Sequence, residues 1–235
     1  MRRRLVLALA LAGCTCGGAG LEAAETIALR ASDGTSLSAV WHAPARTAPA
    51  VLLVHMLNRS HAEWDLTAEA LNVSGFGVLA LDLRGHGASE GNSGALGSMQ
   101  QDVQAGLDWL KTRQDVLPGR LGIAGASLGA SLAVLAAAAD PTVRSIALLS
   151  PAGEYRSLRC EAAMRRFAER AGAVMLVAST GDPYALRSAH NFEAMGTGPR
   201  DLRVVDGTNA HGTTLLSVRP DLITSLVDWF RRSLL

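Results

Sequence analysis

The stretch Gly125-Ala126-Ser127-Leu128-Gly129 holds residue types at a spacing that could do chemistry. It lies between an apolar run, Leu121 to Ala124, and an Ala/Leu-rich segment, Leu128 to Asp140. That order reads as strand, sharp turn and helix, with a serine at the apex. Glycines at 125 and 129 would let strand and helix pack closely while the hydroxyl projects from the turn. The helix that begins there offers free backbone N–H groups and the positive end of its dipole to a developing oxyanion. A hydroxyl is a poor nucleophile until a base within hydrogen-bond reach takes its proton, and the base needs a partner to fix its tautomer. The competing reading of the same residues is a Gly-rich turn with a helix-capping serine.

The elements that must position this turn follow from periodicity. Thr26 to Arg30 and Leu37 to His42 flank Ser32-Asp33-Gly34 and read as an antiparallel hairpin. Pro44 to Pro49 is a linker, and Ala50 to His55 is a continuous apolar run suited to a strand buried on both faces. Further strands are expected at Gly77 to Leu83, Leu121 to Ala124, Val143 to Leu149, Ala173 to Ala178 and Leu202 to Val205. Helices are expected at Trp64 to Asn72, Met99 to Arg113, Leu128 to Asp140, once within 151–172, at Tyr184 to Ala194 and from Pro220 to Leu235. Arg84 to Gly97 lacks any period and reads as loop. Alternation of strand and helix from residue 50 onward implies an α/β fold: a doubly wound, mostly parallel sheet preceded by an antiparallel hairpin.

Composition narrows the class. With 235 residues, 49% hydrophobic and 18% charged, the chain can form one domain with a substantial core. The net charge of +1 includes Arg2, Arg3 and Arg4, so without them it is about −2. That balance gives no electrostatic case for a nucleic-acid partner. Residues 1–13 show a basic start, an apolar stretch from Leu5 to Ala12 and small residues before Cys14, the pattern of a secretory signal too short to span a bilayer. Leu11-Ala12-Gly13-Cys14 resembles a bacterial lipobox, which implies lipid attachment at Cys14, a tether over 14–24, a domain over 25–235 and an exported protein anchored to a membrane of the cell envelope. The alternative is an ordinary cleaved signal with an incidental cysteine. Three cysteines make no disulfide framework, although Cys16 and Cys160 could pair in an oxidising compartment.

In its setting the G-x-S-x-G turn resembles the nucleophile elbow of the α/β-hydrolases, and the resemblance covers most of the chain after the tether. The family order, Ser then acid then His, implies the other two members. Asp182 stands where the expected strand 173–178 gives way to a helix; its bland role is the helix N-cap, with Pro183 at the first helical position, and Asp206 is the alternative acid. His211, in the loop after the last strand, is the single histidine of the last forty residues. The resemblance also implies backbone oxyanion donors at Leu128 and Leu57. Many members carry His-Gly where this chain has His55-Met56, so Met56 stays open as the second donor. Asp82-Leu83-Arg84-Gly85-His86-Gly87-Ala88-Ser89 is similar to a D-x-R-G-x-G-x-S loop of the superfamily and reads as scaffold, with Arg84 pairing an acid and His86 or Trp64 as further pocket candidates.

No histidine pair has metal spacing and no Gly-rich loop matches a phosphate or dinucleotide site, so neither metal nor cofactor is expected. Within the superfamily the pattern is similar to dienelactone-hydrolase-like serine esterases. It implies a two-step acyl transfer on a small-molecule ester, and the roughly twenty residues between Ser150 and Ala173 leave no large cap, which favours small or polar esters. A serine peptidase of the same fold, a thioesterase or acyltransferase, and a non-catalytic binding lipoprotein remain the alternatives.

Overall fold

Apolar runs without a helical period become the strands of one central sheet, and segments with an apolar stripe become the helices that cover it. A computed structural model describes residues 23–235. The expected signal peptide, Cys14, Cys16 and all but the last two residues of the expected tether lie outside the described residues. In chain order the elements are β1 (Glu25–Arg30), β2 (Ser36–His42), β3 (Ala48–Val54), α1 (Asp65–Val73), β4 (Gly77–Leu81), α2 (Met99–Thr112), β5 (Val116–Ala126), α3 (Leu128–Ala139) and β6 (Val143–Leu149). They continue with β7 (Glu154–Tyr155), β8 (Leu158–Arg159), α4 (Cys160–Glu169), β9 (Ala173–Ser179), α5 (Pro183–Glu193), β10 (Arg200–Val205), α6 (Thr214–Val218) and α7 (Asp221–Leu234).

Eight strands form the sheet in the order β1-β2-β4-β3-β5-β6-β9-β10. β1 and β2 pair antiparallel, as do β2 and β4, and every other pairing is parallel. The fold is therefore the expected mostly parallel, doubly wound sheet with an antiparallel N-terminal hairpin. Because β1 runs against β2 and β2 against β4, Glu25 enters at the end of the sheet where the parallel strands begin, whereas the turn at Ser127 lies where they end.

Both faces are dry. Along β3, Ala50, Leu52 and Val54 join one core cluster with α2, α3, α4 and α5, while Val51 and Leu53 join a second with α1, α6 and α7. The period of two that sends alternate side chains to opposite faces thus explains why β3 reads as unbroken apolar sequence. Differences from the sequence expectations are local. β5 begins at Val116 rather than Leu121, running through Pro118-Gly119 with a shift of register against β3; the two breakers hide its start. β3 begins at Ala48, inside the expected linker. Between β6 and β9 the expected helix is α4, preceded by the two-residue strands β7 and β8, so no large cap is inserted there. Among the described residues no helix is long and apolar enough to cross a membrane.

Candidate active site

Ser127 sits between β5 and α3 with φ 52° and ψ −111°, a left-handed backbone that a non-glycine residue adopts at a cost on the order of 1–3 kcal/mol. Its neighbours explain how the turn closes. A Cβ on Gly125 would collide with the Gly129 carbonyl, and one on Gly129 with the Val54 and His55 carbonyls. Backbone bonds from Ser127 N–H to Leu149 C=O (2.9 Å) and from Ser131 N–H to Ser127 C=O (3.2 Å) lock the bend between β6 and the first turn of α3. The Ser127 side chain makes no capping bond to that helix. Its Oγ lies 2.7 Å from Nε2 of His211.

The other ring nitrogen, Nδ1 of His211, lies 2.5 Å from Oδ2 of Asp182. Asp182 uses its second oxygen as the N-cap of α5, accepting from Ala185 N–H at 3.2 Å. The bland and the chemical readings of this residue therefore hold together, one oxygen to each. Asp206 is exposed just past β10 and makes no contact with the imidazole. The arrangement stands open to solvent, with the His211 side chain 49% exposed and that of Asp182 18%.

The loop carrying His211 is pinned from both sides by residues that the sequence reading did not single out. Ser179 Oγ, at the end of β9, donates to Ala210 C=O (2.7 Å), and Ser150 Oγ, just past β6, accepts from Gly212 N–H (2.9 Å). Thr214 Oγ1 accepts from His211 N–H (2.8 Å) and donates to His211 C=O (2.7 Å). Ser150 and Ser179 are both buried. Their signal in the sequence is a serine directly after an apolar stretch, at the sheet end where the elbow also lies.

At the elbow and in the loop after β3, the N–H groups of Leu128, first residue of α3, and of Leu57 make no hydrogen bond to the described residues. The neighbours of Leu57 are both committed. Met56 N–H donates to Oε1 of Glu63 (2.7 Å) and Asn58 N–H to Nε2 of His86 (3.1 Å). Met56 does not need the conformational freedom of glycine; the left-handed residue of this loop is Asn58, φ 59°, of a type that tolerates it. His55 is buried, its Nδ1 bonding Met56 C=O (2.6 Å) and its Nε2 accepting from Leu83 N–H (3.0 Å). A carbonyl partner requires the proton on Nδ1 and an amide partner requires a bare Nε2, so the ring is neutral. Burial agrees, pushing its pKa down to about 4. His86 is fixed in the same tautomer by Arg84 C=O (2.9 Å) and Asn58 N–H.

The loop after β4 is scaffold. Arg84 binds Asp102 through Nε (2.9 Å) and Nη2 (2.6 Å) and Asp33 through Nη1 (2.6 Å), a buried, charge-assisted fork. Asp82 accepts from His61 N–H (2.7 Å) and Ala88 N–H (3.0 Å), and a Cβ on Gly87 would strike its carboxyl. Trp64 is wholly buried core. Cys160 is buried too, its thiol pushed up to about 11 by burial, which makes it a poor nucleophile. Among the described residues no group of three or more His, Cys, Asp or Glu is placed to hold a metal ion.

Solved structures share this architecture. An esterase of Pyrococcus furiosus superposes with a TM-score of 0.76 at 17% identity, over 92% of this chain and 94% of that one. A dienelactone hydrolase of Anabaena variabilis gives 0.72 at 18%, over 91% and 99%. In sequence, the uncharacterized protein YfhR of Escherichia coli O157:H7 is 31% identical over 144 residues, 57% of this chain and 50% of its own. The uncharacterized protein Rv2307c of Mycobacterium tuberculosis is 30% identical over 155 residues, 64% of this chain and 53% of its own. The chain thus spans about half the length of the curated relatives it matches. Residues 45–215, well over half of the chain, match the family model described as serine aminopeptidase, S33, and the chain belongs to that family of the α/β-hydrolase superfamily.

Proposed function

We propose that the protein is a serine hydrolase that cleaves small or polar carboxylic esters through an acyl-enzyme on Ser127. The observation that carries the reading is the pair of short contacts on one imidazole, 2.7 Å to Ser127 Oγ and 2.5 Å to Asp182 Oδ2. His211 Nε2 takes the Ser127 proton as Oγ bonds to the ester carbonyl carbon, and the carbonyl oxygen takes up the electron pair as an oxyanion held by Leu57 and Leu128 N–H. Collapse expels the alkoxide, which receives the proton from His211 Nε2. Water, deprotonated by the same nitrogen, then attacks the acyl carbon; collapse breaks the bond to Oγ, Nε2 returns the proton to Oγ, and the acid and free Ser127 are released. Asp182 holds the proton on Nδ1 and offsets the charge that the ring gains in each step.

An amide substrate calls for the same groups, and the family description, serine aminopeptidase, favours a peptidase as the second reading. Turnover of p-nitrophenyl acetate and butyrate beside aminoacyl p-nitroanilides separates the two. Ester turnover with anilides at background fits the proposal; efficient anilide turnover, or a strong preference for acyl chains beyond about C12 in a site without a large cap, counts against it. We extend the proposal to location: Cys14 carries lipid and holds the domain at a membrane of the cell envelope, on the strength of Leu11-Ala12-Gly13-Cys14. Cys14→Ser is expected to shift the protein from the membrane to the soluble fraction of its host, and unchanged fractionation would contradict the anchor.

A further inference from the structure

We propose that Glu63 is a positioning residue for the oxyanion site: by taking the Met56 amide it leaves Leu57 N–H as the free donor between two committed neighbours. The inference rests on the hydrolase reading above. Its physical basis is the order of three consecutive peptide units. The unit joining His55 to Met56 points its N–H at Glu63 Oε1 (2.7 Å). The unit joining Leu57 to Asn58 points its N–H at His86 Nε2 (3.1 Å). Between them, the unit joining Met56 to Leu57 has its carbonyl held by His55 Nδ1–H (2.6 Å) and by Arg59 N–H (3.3 Å). In a trans peptide the C=O and N–H point in opposite directions, so fixing the carbonyl aims the Leu57 N–H away from all of these partners. Left alone, the Met56 amide would be a second donor on a rotatable plane.

Glu63 is suited to this work and to little else. It lies in a short 3₁₀ turn, His61–Trp64, whose position is set by the wholly buried Trp64 and by Asp82, which accepts both His61 N–H and His61 Nδ1–H. Burial raises the pKa of its carboxyl, against the pull of the Met56 amide and of Thr213 nearby on the base loop. Its Oε2 is buried without a hydrogen bond of normal geometry. The burial cost of this carboxyl is offset by the Met56 amide, at 2.7 Å, with the Thr213 side chain beside it. The base loop meets the same place, since Met56 Sδ packs where a Cβ of Gly212 would go. Met56, held by Glu63 through its amide, therefore joins the oxyanion loop to the loop that carries His211.

The test uses Glu63→Ala and Glu63→Gln in the full chain, with kcat and KM for p-nitrophenyl butyrate referred to the folded fraction, and inhibition by a trifluoromethyl ketone. Loss of a whole oxyanion donor lowers kcat by about 10² to 10³. Freeing the adjoining His55–Met56 plane, and with it a competing Met56 amide, is expected to lower it by about 10- to 100-fold in Glu63→Ala. KM should stay within about twofold, and affinity for the ketone, which forms a tetrahedral adduct, should fall in parallel with kcat. Glu63→Gln keeps an acceptor and should recover kcat to within about threefold of the parent. Glu63→Ala with unaltered kcat and ketone affinity, or Glu63→Gln as impaired as Glu63→Ala, overturns the proposal while leaving the hydrolase reading intact. Amide exchange of residues 55–58 separates the remaining case. If the parent turns over neither ester nor aminoacyl anilide and takes no fluorophosphonate, yet Met56 loses protection in Glu63→Ala, the clamp exists but serves no oxyanion site, and the hydrolase reading falls with the proposal.

Discussion

Asp182 serves two masters with two oxygens, and substitution can part them. Asparagine is as good an N-cap as aspartate but cannot hold an imidazolium by charge. Asp182→Asn should therefore unfold within about 0.5 kcal/mol of the parent while losing about 10³- to 10⁴-fold in kcat, and Asp182→Ala should lose activity and about 1 kcal/mol of stability besides. Denaturant titration beside ester kinetics checks both; equal activity in Asp182→Asn would remove the residue from the mechanism. His55 makes a different kind of prediction. Burial lowers its pKa from 6.5 to about 4 in the fold, so between those values the unfolded chain binds a proton that the native state refuses. Its neutral form is no burden above pH 6.5, and stability is lost as pH falls from 6.5 toward 4, by about 3 kcal/mol in all. Asp140 titrates lower: burial pushes it up, but Lys111 and Thr142 pull it down to about 2, so its contribution is lost only below pH 3.8. Unfolding free energies between pH 7 and 4.5 should slope less in His55→Gln; an unchanged slope would assign the window to other groups. That Ser127, Asp182 and His211 meet was legible in the sequence through the resemblance, whose order of Ser, acid and His picks out one residue in each of three loops. Glu63 and the role of His86 were not, since nothing in a string tells which backbone amide a carboxyl or a ring nitrogen will meet.

At the scale of elements, the base loop depends on strand ends more than on its own residues. Ser150 and Ser179 cap β6 and β9 and hold the amide after His211 and the carbonyl before it. Removing the Ser150 hydroxyl leaves a buried N–H of Gly212 unpaired, which costs about 1–3 kcal/mol. Ser150→Ala is therefore expected to destabilise by that amount and to lower kcat with KM little changed, because the imidazole and not the acyl pocket is displaced. A variant with parental kcat would show that Ser179 and Thr214 suffice to hold the loop. These hydroxyls escaped notice because Leu148-Leu149-Ser150 and Val177-Ala178-Ser179 look like ordinary strand-to-turn boundaries. The start of β5 escaped for the opposite reason: Pro118-Gly119 imitates a turn inside a strand. α6 escaped because five residues cannot display a helical period.

Over the whole molecule, the parallel strands carry every piece of the site to one end of the sheet. Leu57 follows β3, Ser127 follows β5, Asp182 follows β9 and His211 follows β10. Four loops distant in sequence converge because right-handed crossovers bring successive strands side by side with their ends level. The alternation of elements made this class of fold legible, whereas the lateral order of β4 and β3 was not, since no local signal records which edge a strand joins. Glu25 enters at the opposite end of the sheet. The central claim is that Ser127 is a nucleophile activated by His211. It is tested most directly by labelling the purified protein with a fluorophosphonate and mapping the modified residue. The account predicts one label per chain, on Ser127, absent in Ser127→Ala and strongly slowed in His211→Ala. A well-folded parent that takes no label, or takes it elsewhere, would contradict it.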